Sequence, residues 1–332
     1  MVSKPLVSFK ETIQGECVGL TGSLKAPPGF VQRTTANGKF IVRVQVISLP
    51  NALTKVLEES EELLGQIIKG QNPRFSQDDD GNSTATLRDR LISAIDSELE
   101  AISEQVEKEI IERYRKTWLG YLERIWALSP LHVGPNVLLS PDLNTSSGVT
   151  SSQDRRQGIL SLRNSIISEF QFATNAGPIC DEPMRGLAFI VEPYVLSDYN
   201  HAITHSDQYN AFTGQVITAV KEACRAAVFQ SKPRLVEPMY FCALTTPTEK
   251  LRRGTSGAAS ALLTLSHWEV IHQDPFFTPK TQEELEEFGD GSSVVPNLAK
   301  KLMNSVRRRK GLHVEEKVVE HGSKQRTRAK KV

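Results

Sequence analysis

Cysteine, histidine and long apolar runs are all scarce in this chain of 332 residues. Its 4 cysteines, Cys17, Cys180, Cys224 and Cys242, are far apart and form no CxxC pair. That spacing excludes a zinc ribbon and gives no disulfide framework, and it suits the reduced thiols of a cytosolic protein. No apolar run approaches the ~20 residues that a membrane helix needs. The opening MVSKPLVSFKETI lacks the apolar segment of a signal peptide. No GxxxxGK[ST] occurs, so no P-loop cradles a phosphate; GTSG at 254–257 and GDGSS at 289–293 lack the following lysine. There is no G-x-S-x-G nucleophile elbow either.

What is present is a globular composition, 39% hydrophobic and 24% charged, with length for roughly two domains of about 150 residues. The net charge of +1 conceals an asymmetry. From Lys300 to Val332 there are 12 Lys/Arg against 3 Asp/Glu, which leaves 28 against 36 in the rest. A basic terminus on an acidic body suits an anionic partner such as RNA, and it equally suits a solubilising disordered tail.

Residues 6–14 read as a strand, followed by a Gly/Pro-rich loop through Pro28. KFIVRVQVIS (39–48) alternates, with Phe40, Val42, Val44 and Val46 on one side, as a half-buried strand does. Pro50 opens a helix that Gly70 stops. Residues 84–119 read as one long charged helix whose stripe runs Leu91, Ile95, Leu99, Ile102, Val106, Ile110, Tyr114. Such a stripe serves either as a coiled-coil arm or as packing on its own domain. Residues 121–129 and 135–139 look extended, 140–157 is a polar loop, and 158–174 is a helix. Strand 186–196 carries Pro193, which suggests an edge or bulge. A polar loop from Asp198 to Thr213 precedes a helix at 214–232. Strands follow at 235–246 and 261–272, then a capping box at Thr281 and Glu284. A basic helix at 297–310 stops at Gly311.

Candidate chemistry is thin. Cys180, in FQFATNAGPICDEPMRG (170–186), lies beside Asp181 and Glu182, which raise a thiol pKa rather than lower it. With no base or soft ligand nearby, the stretch reads as a helix-to-strand connection around a small buried thiol. His201, His205 and Asp207 have a ligand-like spacing but stand in a polar loop, and His267 beside Trp268 reads as a packed strand residue.

The same stretch carries a resemblance. ISEFQFATNAGPICDEPMRGLAFIVE resembles the helix–turn–strand of domain IV in eukaryotic elongation factor two and its elongation factor-like GTPase relatives. LVSFKETI, IWALSPLHVGPNVLL, GQVITAVKEACRAA, SKPRLVEPMYFCALTTPTE and GTSGAASALLTLSHWEVIHQDPF, the last with RRRKGL, are similar to further segments in that family's order. The tip loop lacks the family's modified histidine: four residues before Gly214 stands Asn210, and His205 is nine residues back. That departure, the insertion at 84–119 and the basic C-terminus look more like the cytosolic ribosome-assembly type than the translocase, which is the alternative.

The resemblance implies an α/β (α+β) fold. Residues 1–232 would be domain IV, a ribosomal-protein-S5-domain-2-like sheet with helices on one face and the helical insertion at 84–119. Residues 233–310 would be an incomplete ferredoxin-like domain V with the C-terminal helix, and 311–332 a basic tail. A βαββαβ domain needs roughly 70–80 residues. Only about 15 residues separate the strands at 239–246 and 262–271, too few for two helices and two strands. Those strands are therefore expected to pair weakly or to dock poorly.

The implied function is ribosome binding without catalysis of its own, in cytoplasmic maturation of the large (60S) subunit and release of an anti-association initiation factor. A non-functional truncated product is a further alternative. Small-molecule kinases share the topology, but an enzyme of that kind needs a Gly-rich phosphate loop that the chain lacks. GTP and magnesium would belong to the full-length family member, with no cofactor in this chain. The implied partners are the large subunit and its rRNA, and the Shwachman–Bodian–Diamond syndrome protein, with no membrane and no DNA. Candidate RNA contacts are Arg155, Arg156, His205, Lys232, Arg234, Arg307, Arg308, Arg309 and Lys310.

Overall fold

A computed structural model describes residues 8–15, 29–62, 64, 82–102, 108–140, 152–195, 206–245, 260–289 and 295–314. By internal contacts the chain forms two compact units, Met1–His272 and Gln273–Val332. The division falls after His272 rather than at 232, because strand β1 (Lys10–Ile13) pairs antiparallel with β7 (Pro233–Thr245) and ties that strand to the first unit.

The first unit is built on a five-stranded sheet, in the order β2 (Val31–Thr34), β3 (Phe40–Ser48), β6 (Leu187–Val195), β5 (Asn136–Leu139), β4 (Ile125–Ser129). β5 and β6 run parallel, joined by the crossover helix α4 (Ser152–Asn175). On β3, Phe40, Val42, Val44 and Val46 share one buried face, as their alternation requires. Gln45 and Ile47 are buried as well, so the strand is covered on both faces rather than half-buried.

The cover on the first face is α4 with α5 (Ser206–Gln230). Leu162, Ile166, Phe170 and Ala173 of α4, and Val216, Val220, Cys224 and Ala227 of α5, pack on Phe40, Val42, Val44, Leu138, Phe189 and Val191. Each fully buried Leu, Ile or Phe contributes about 1.5–3 kcal/mol. The second face is covered by α1 (Asn51–Glu59), α2 (Asn82–Ile102) and α3 (Lys108–Leu122). Ile47, Val137, Leu139, Ala188 and Ile190 meet Leu53, Leu57, Leu91, Ile95, Leu99, Tyr114 and Trp118 there. The fold is therefore α/β with helices on both faces, not on one.

The expected single rod at 84–119 is two antiparallel helices. Arg115 bonds Asp96 at 2.6 Å and Arg88 bonds Glu123 at 3.2 Å, a pairing that only a fold-back allows. The apolar stripe thus packs on its own domain. α3 continues through Leu122, so the start of the expected extended segment at 121–129 is helical. α4 and α5 begin at Ser152 and Ser206, earlier than the sequence suggests. The expected Gly70 stop and the tip residues 196–205 lie outside the described residues. β6 is the central strand, not an edge. It tolerates Pro193 because its pairing with β5 ends at Ile190, beyond which no ladder donor is needed on that side.

The second sheet has the order β1-β7-β8, with β8 at Ser260–Val270. β7 and β8 pair from Val236↔Val270 to Thr245↔Ser260 in a ladder continuous but for one shift at Met239/Tyr240, and the exposure of Phe241, Leu262 and Leu263 agrees with the expectation that these strands dock poorly.

The second unit contains α6 (Gln282–Phe288) and α7 (Leu298–Lys310). Thr281 and Glu284 form the expected capping box. Asn297 caps α7 by accepting from the Lys300 N–H, and its Nδ2 donates to the Asp274 carbonyl at 2.7 Å. Gly311, at φ 70°, closes α7: its N–H reaches the Arg308 carbonyl and the Leu312 N–H reaches that of Arg307, a Schellman pair.

Candidate functional site

The stretch that looked like chemistry is a cage for one carboxylate. Along β1, Phe9, Glu11 and Ile13 occupy inward positions, and Glu11 is fully buried. Its Oε2 accepts from the Ile179 N–H at 2.8 Å, and its Oε1 accepts from Cys180 at 2.7 Å and Glu182 at 3.1 Å. The Glu11 backbone is clasped too: its N–H donates to the Pro183 carbonyl and its carbonyl accepts from Arg185. Gly177 makes room, since a Cβ there would collide with the carboxylate. Asp181 turns the chain at φ 52°. Arg225 locks the outside by donating to the Ala176 carbonyl at 2.9 Å and to Asp181 at 3.3 Å. Burial pushes the Glu11 carboxyl up to about 7, opposed by the three amide donors and by the Arg225 charge. Cys180 serves this cage through its backbone, and its thiol is buried.

A second knot lies beside it. Asn136 Nδ2 donates to the carbonyls of Ser129 (3.1 Å) and Met184 (2.7 Å), and its Oδ1 accepts from the Leu187 N–H (3.2 Å). The Ser129 and Thr174 hydroxyls bond each other, and Thr174 donates to the Phe170 carbonyl at 2.6 Å. Gln171 holds the turn after Ser129 by donating to the Leu128 carbonyl and meeting His132. The two segments that carry the resemblance thus interlock as backbone-satisfying polar groups.

A third cluster joins β1, α1 and the entry to β6. Arg185 holds Glu58 with two bonds, 2.8 and 2.9 Å, and Lys10 joins at 3.3 Å while standing 4.3 Å over the Trp268 ring. Burial works to raise the Glu58 carboxyl, but Arg185 and Lys10 outweigh it and hold it below its usual range. Burial lowers the Lys10 ammonium against the pull of Glu58. On α5, burial and the Glu169 charge push the Cys224 thiol up to about 12, which keeps it protonated and inert.

The candidate RNA contacts are dispersed. Arg155 and Arg156 are on the first turns of α4, not in a loop. His205 lies outside the described residues. Lys232 is exposed at φ 55° where β7 begins. Arg234 is a correction: it is buried, its guanidinium bonded to the Pro233 carbonyl and to Gln14 Oε1 at 2.8 Å, so it braces β1 against β7 and offers no surface. Arg307, Arg308, Arg309 and Lys310 form the last turn of α7, with Arg307 donating to the His313 carbonyl and Arg309 to Ser305. With Lys300 and Lys301, that helix carries six cations and no acid, opposite a buried face of Ala299, Met303 and Val306. Among the described residues no group of three or more His, Cys, Asp or Glu converges as metal ligands do.

The sequence reading missed Glu11, Asn136 and Thr174. Glu11 alone gave a signal, a charge at an inward position of an alternating strand.

The first unit is an α/β domain with interlocked turns, and the second unit carries a basic helix. Residues 45–141 match the elongation factor-like GTPase 1-like domain. The match runs from β3 to β5, so it contains the whole helical layer on the second face. The chain is 28% identical to Elongation factor-like GTPase 1 of Homo sapiens over 91% of its own length and 34% of that protein's. It is 28% identical to Ribosome assembly protein 1 of Schizosaccharomyces pombe, covering 98% of the chain and 37% of the relative. For Ribosome assembly protein 1 of Saccharomyces cerevisiae the figures are 26%, 98% and 32%. The chain thus resembles a portion of an elongation factor-like GTPase of the ribosome-assembly type. It spans about a third of the length of these relatives.

Proposed function

We propose that this chain is the ribosome-binding portion of a translational-type GTPase that acts in the cytoplasm on maturation of the large (60S) ribosomal subunit. In that role it promotes release of the anti-association initiation factor, together with the Shwachman–Bodian–Diamond syndrome protein. The observation that carries this reading is likeness, along nearly the whole chain, to proteins named for ribosome assembly. The six cations of α7 support it, because phosphate contacts dominate affinity for structured RNA. Nucleotide hydrolysis falls to another part of the whole protein, and the 332-residue chain turns over no guanosine triphosphate.

Cosedimentation with purified large subunits tests this. With about four phosphate contacts, affinity falls roughly a hundredfold between about 50 and about 200 mM salt. Salt-independent binding, or measurable nucleotide turnover, refutes the reading. A truncated product without function is the second reading. It is favoured by the alignment with the human relative, which runs over 393 positions against the chain's 332 residues, so the relative holds segments that this chain lacks. That reading predicts no subunit binding at any salt.

A further inference from the structure

Helix α7 breaks a local rule at its start. Lys300 and Lys301 stand in its first turn, where the aligned peptide dipoles oppose cations, and no acid there offsets them. The last turn obeys the rule, since Arg307, Arg308, Arg309 and Lys310 meet the negative end of the dipole. Charges held against a local preference, with no local compensation, point to a ligand.

The two ends of the helix are in phase. Lys301 and Arg308 lie two turns apart on one side, about 10.5 Å along the axis at the helical rise. Both are exposed, opposite the buried Ala299, Met303 and Val306. Lys300 and Arg307 repeat that spacing on the adjoining flank, where they are half-buried. Arg309 stands on the other flank, bonded to Ser305 Oγ at 3.2 Å. The helix has no aromatic residue, and its one exposed large apolar side chain is Leu298, at its first position.

These features select among anions. Single-stranded RNA is held by stacking its bases on aromatic rings, and α7 has none. A membrane surface takes an amphipathic helix by its apolar face, and here that face is buried. A duplex fixes its phosphates in place, so rows of cations meet them without first ordering the ligand. In A-form RNA the deep groove is narrow, and the phosphates of the two strands face each other across it at about 10 Å. The separation of Lys301 from Arg308, and of Lys300 from Arg307, matches that distance.

We propose that α7 lies across the narrow groove of double-stranded RNA, with Lys300 and Lys301 on the phosphates of one strand and Arg307 and Arg308 on those of the other. The proposal rests on the ribosome-binding reading and narrows it to a ligand class: duplex RNA, recognised by the shape of its backbone whatever its sequence. Arg309 and Lys310 lie outside the bridge and add an attraction that does not tell duplex from single strand.

Fluorescence anisotropy of the full chain tests this, with a labelled RNA duplex of about 16 base pairs and with one of its strands alone, at about 100 mM salt. The duplex should bind at least about tenfold more tightly. Two duplexes of unrelated sequence should bind alike. Lys301→Ala with Arg308→Ala should weaken duplex binding about tenfold and single-strand binding far less, which removes most of the preference. Arg309→Ala with Lys310→Ala deletes the same charge outside the bridge, and should weaken both ligands by one factor. All four residues are exposed, so circular dichroism and melting temperature should match those of the parent. Equal affinity for duplex and single strand overturns the proposal, and so does a preference that both double variants reduce alike. Binding to anionic lipid vesicles as tight as that to the duplex overturns it too. Subunit binding without duplex preference overturns the bridge and leaves the ribosome-binding reading standing. Duplex preference without subunit binding supports the bridge and refutes that reading.

Discussion

Glu11 stands where its strand neighbours Phe9 and Ile13 are apolar, and its carboxylate organises backbone 168 to 171 residues away. Gln at this site would turn an amide NH₂ toward amide donors. Glu11→Gln should cost about 2–4 kcal/mol in urea denaturation, the penalty of an unmet buried donor set. The acid also gives a pH signature. Its folded-state value of about 7 lies above the unfolded value near 4.5, so between them the folded chain holds the extra proton. The contribution is fully present below about 4.5 and is lost as pH rises through about 7, by roughly 3 kcal/mol at most. Denaturation of the parent and of Glu11→Gln across that window checks it: the difference between them should shrink as pH rises. A constant difference would remove Glu11 as the source.

At the level of elements, the layer formed by α1, α2 and α3 gives the sheet its second cover. Trp118 is buried there, edge-on to Tyr121 at 5.4 Å and tilted against Tyr114 at 6.1 Å. Trp118→Ala should cost about 3–5 kcal/mol. Hydrogen exchange should rise in α2 and α3 first, while α4 and α5 on the opposite face stay protected. Equal loss on both faces would mean that the two layers unfold as one. The periodicity of this layer was legible: Leu91, Ile95, Leu99 and Tyr114 keep their stripe. The fold-back was not, since the same spacing serves a straight rod and a hairpin, and only pairs such as Arg115–Asp96 tell them apart.

For the whole molecule, charge is segregated by region. The basic last turn of α7 lies in the second unit, Gln273–Val332, while the excess acid lies before Lys300. Reversing two exposed cations, Arg308→Glu with Arg309→Glu, should weaken large-subunit binding by about tenfold or more at moderate salt. It should also flatten the slope of log affinity against log salt by about two. Binding assays at four salt concentrations would show this, and an unchanged slope would place the RNA contacts elsewhere. Both changes leave the buried face of Ala299, Met303 and Val306 intact.

The sequence by itself determined the local things. These were the alternation that makes β3, the caps at Thr281 and Gly311 and the stripe of α4, because each depends on residues within a few positions. Tertiary structure decided what lies across distance. It covered both faces of the sheet, buried Arg234 as a brace, assigned Cys180 to a backbone cage and left the far half of the β7–β8 ribbon bare. Burial and hydrogen-bond partnership are properties of surfaces that meet, and one segment read alone does not contain the surface it will meet.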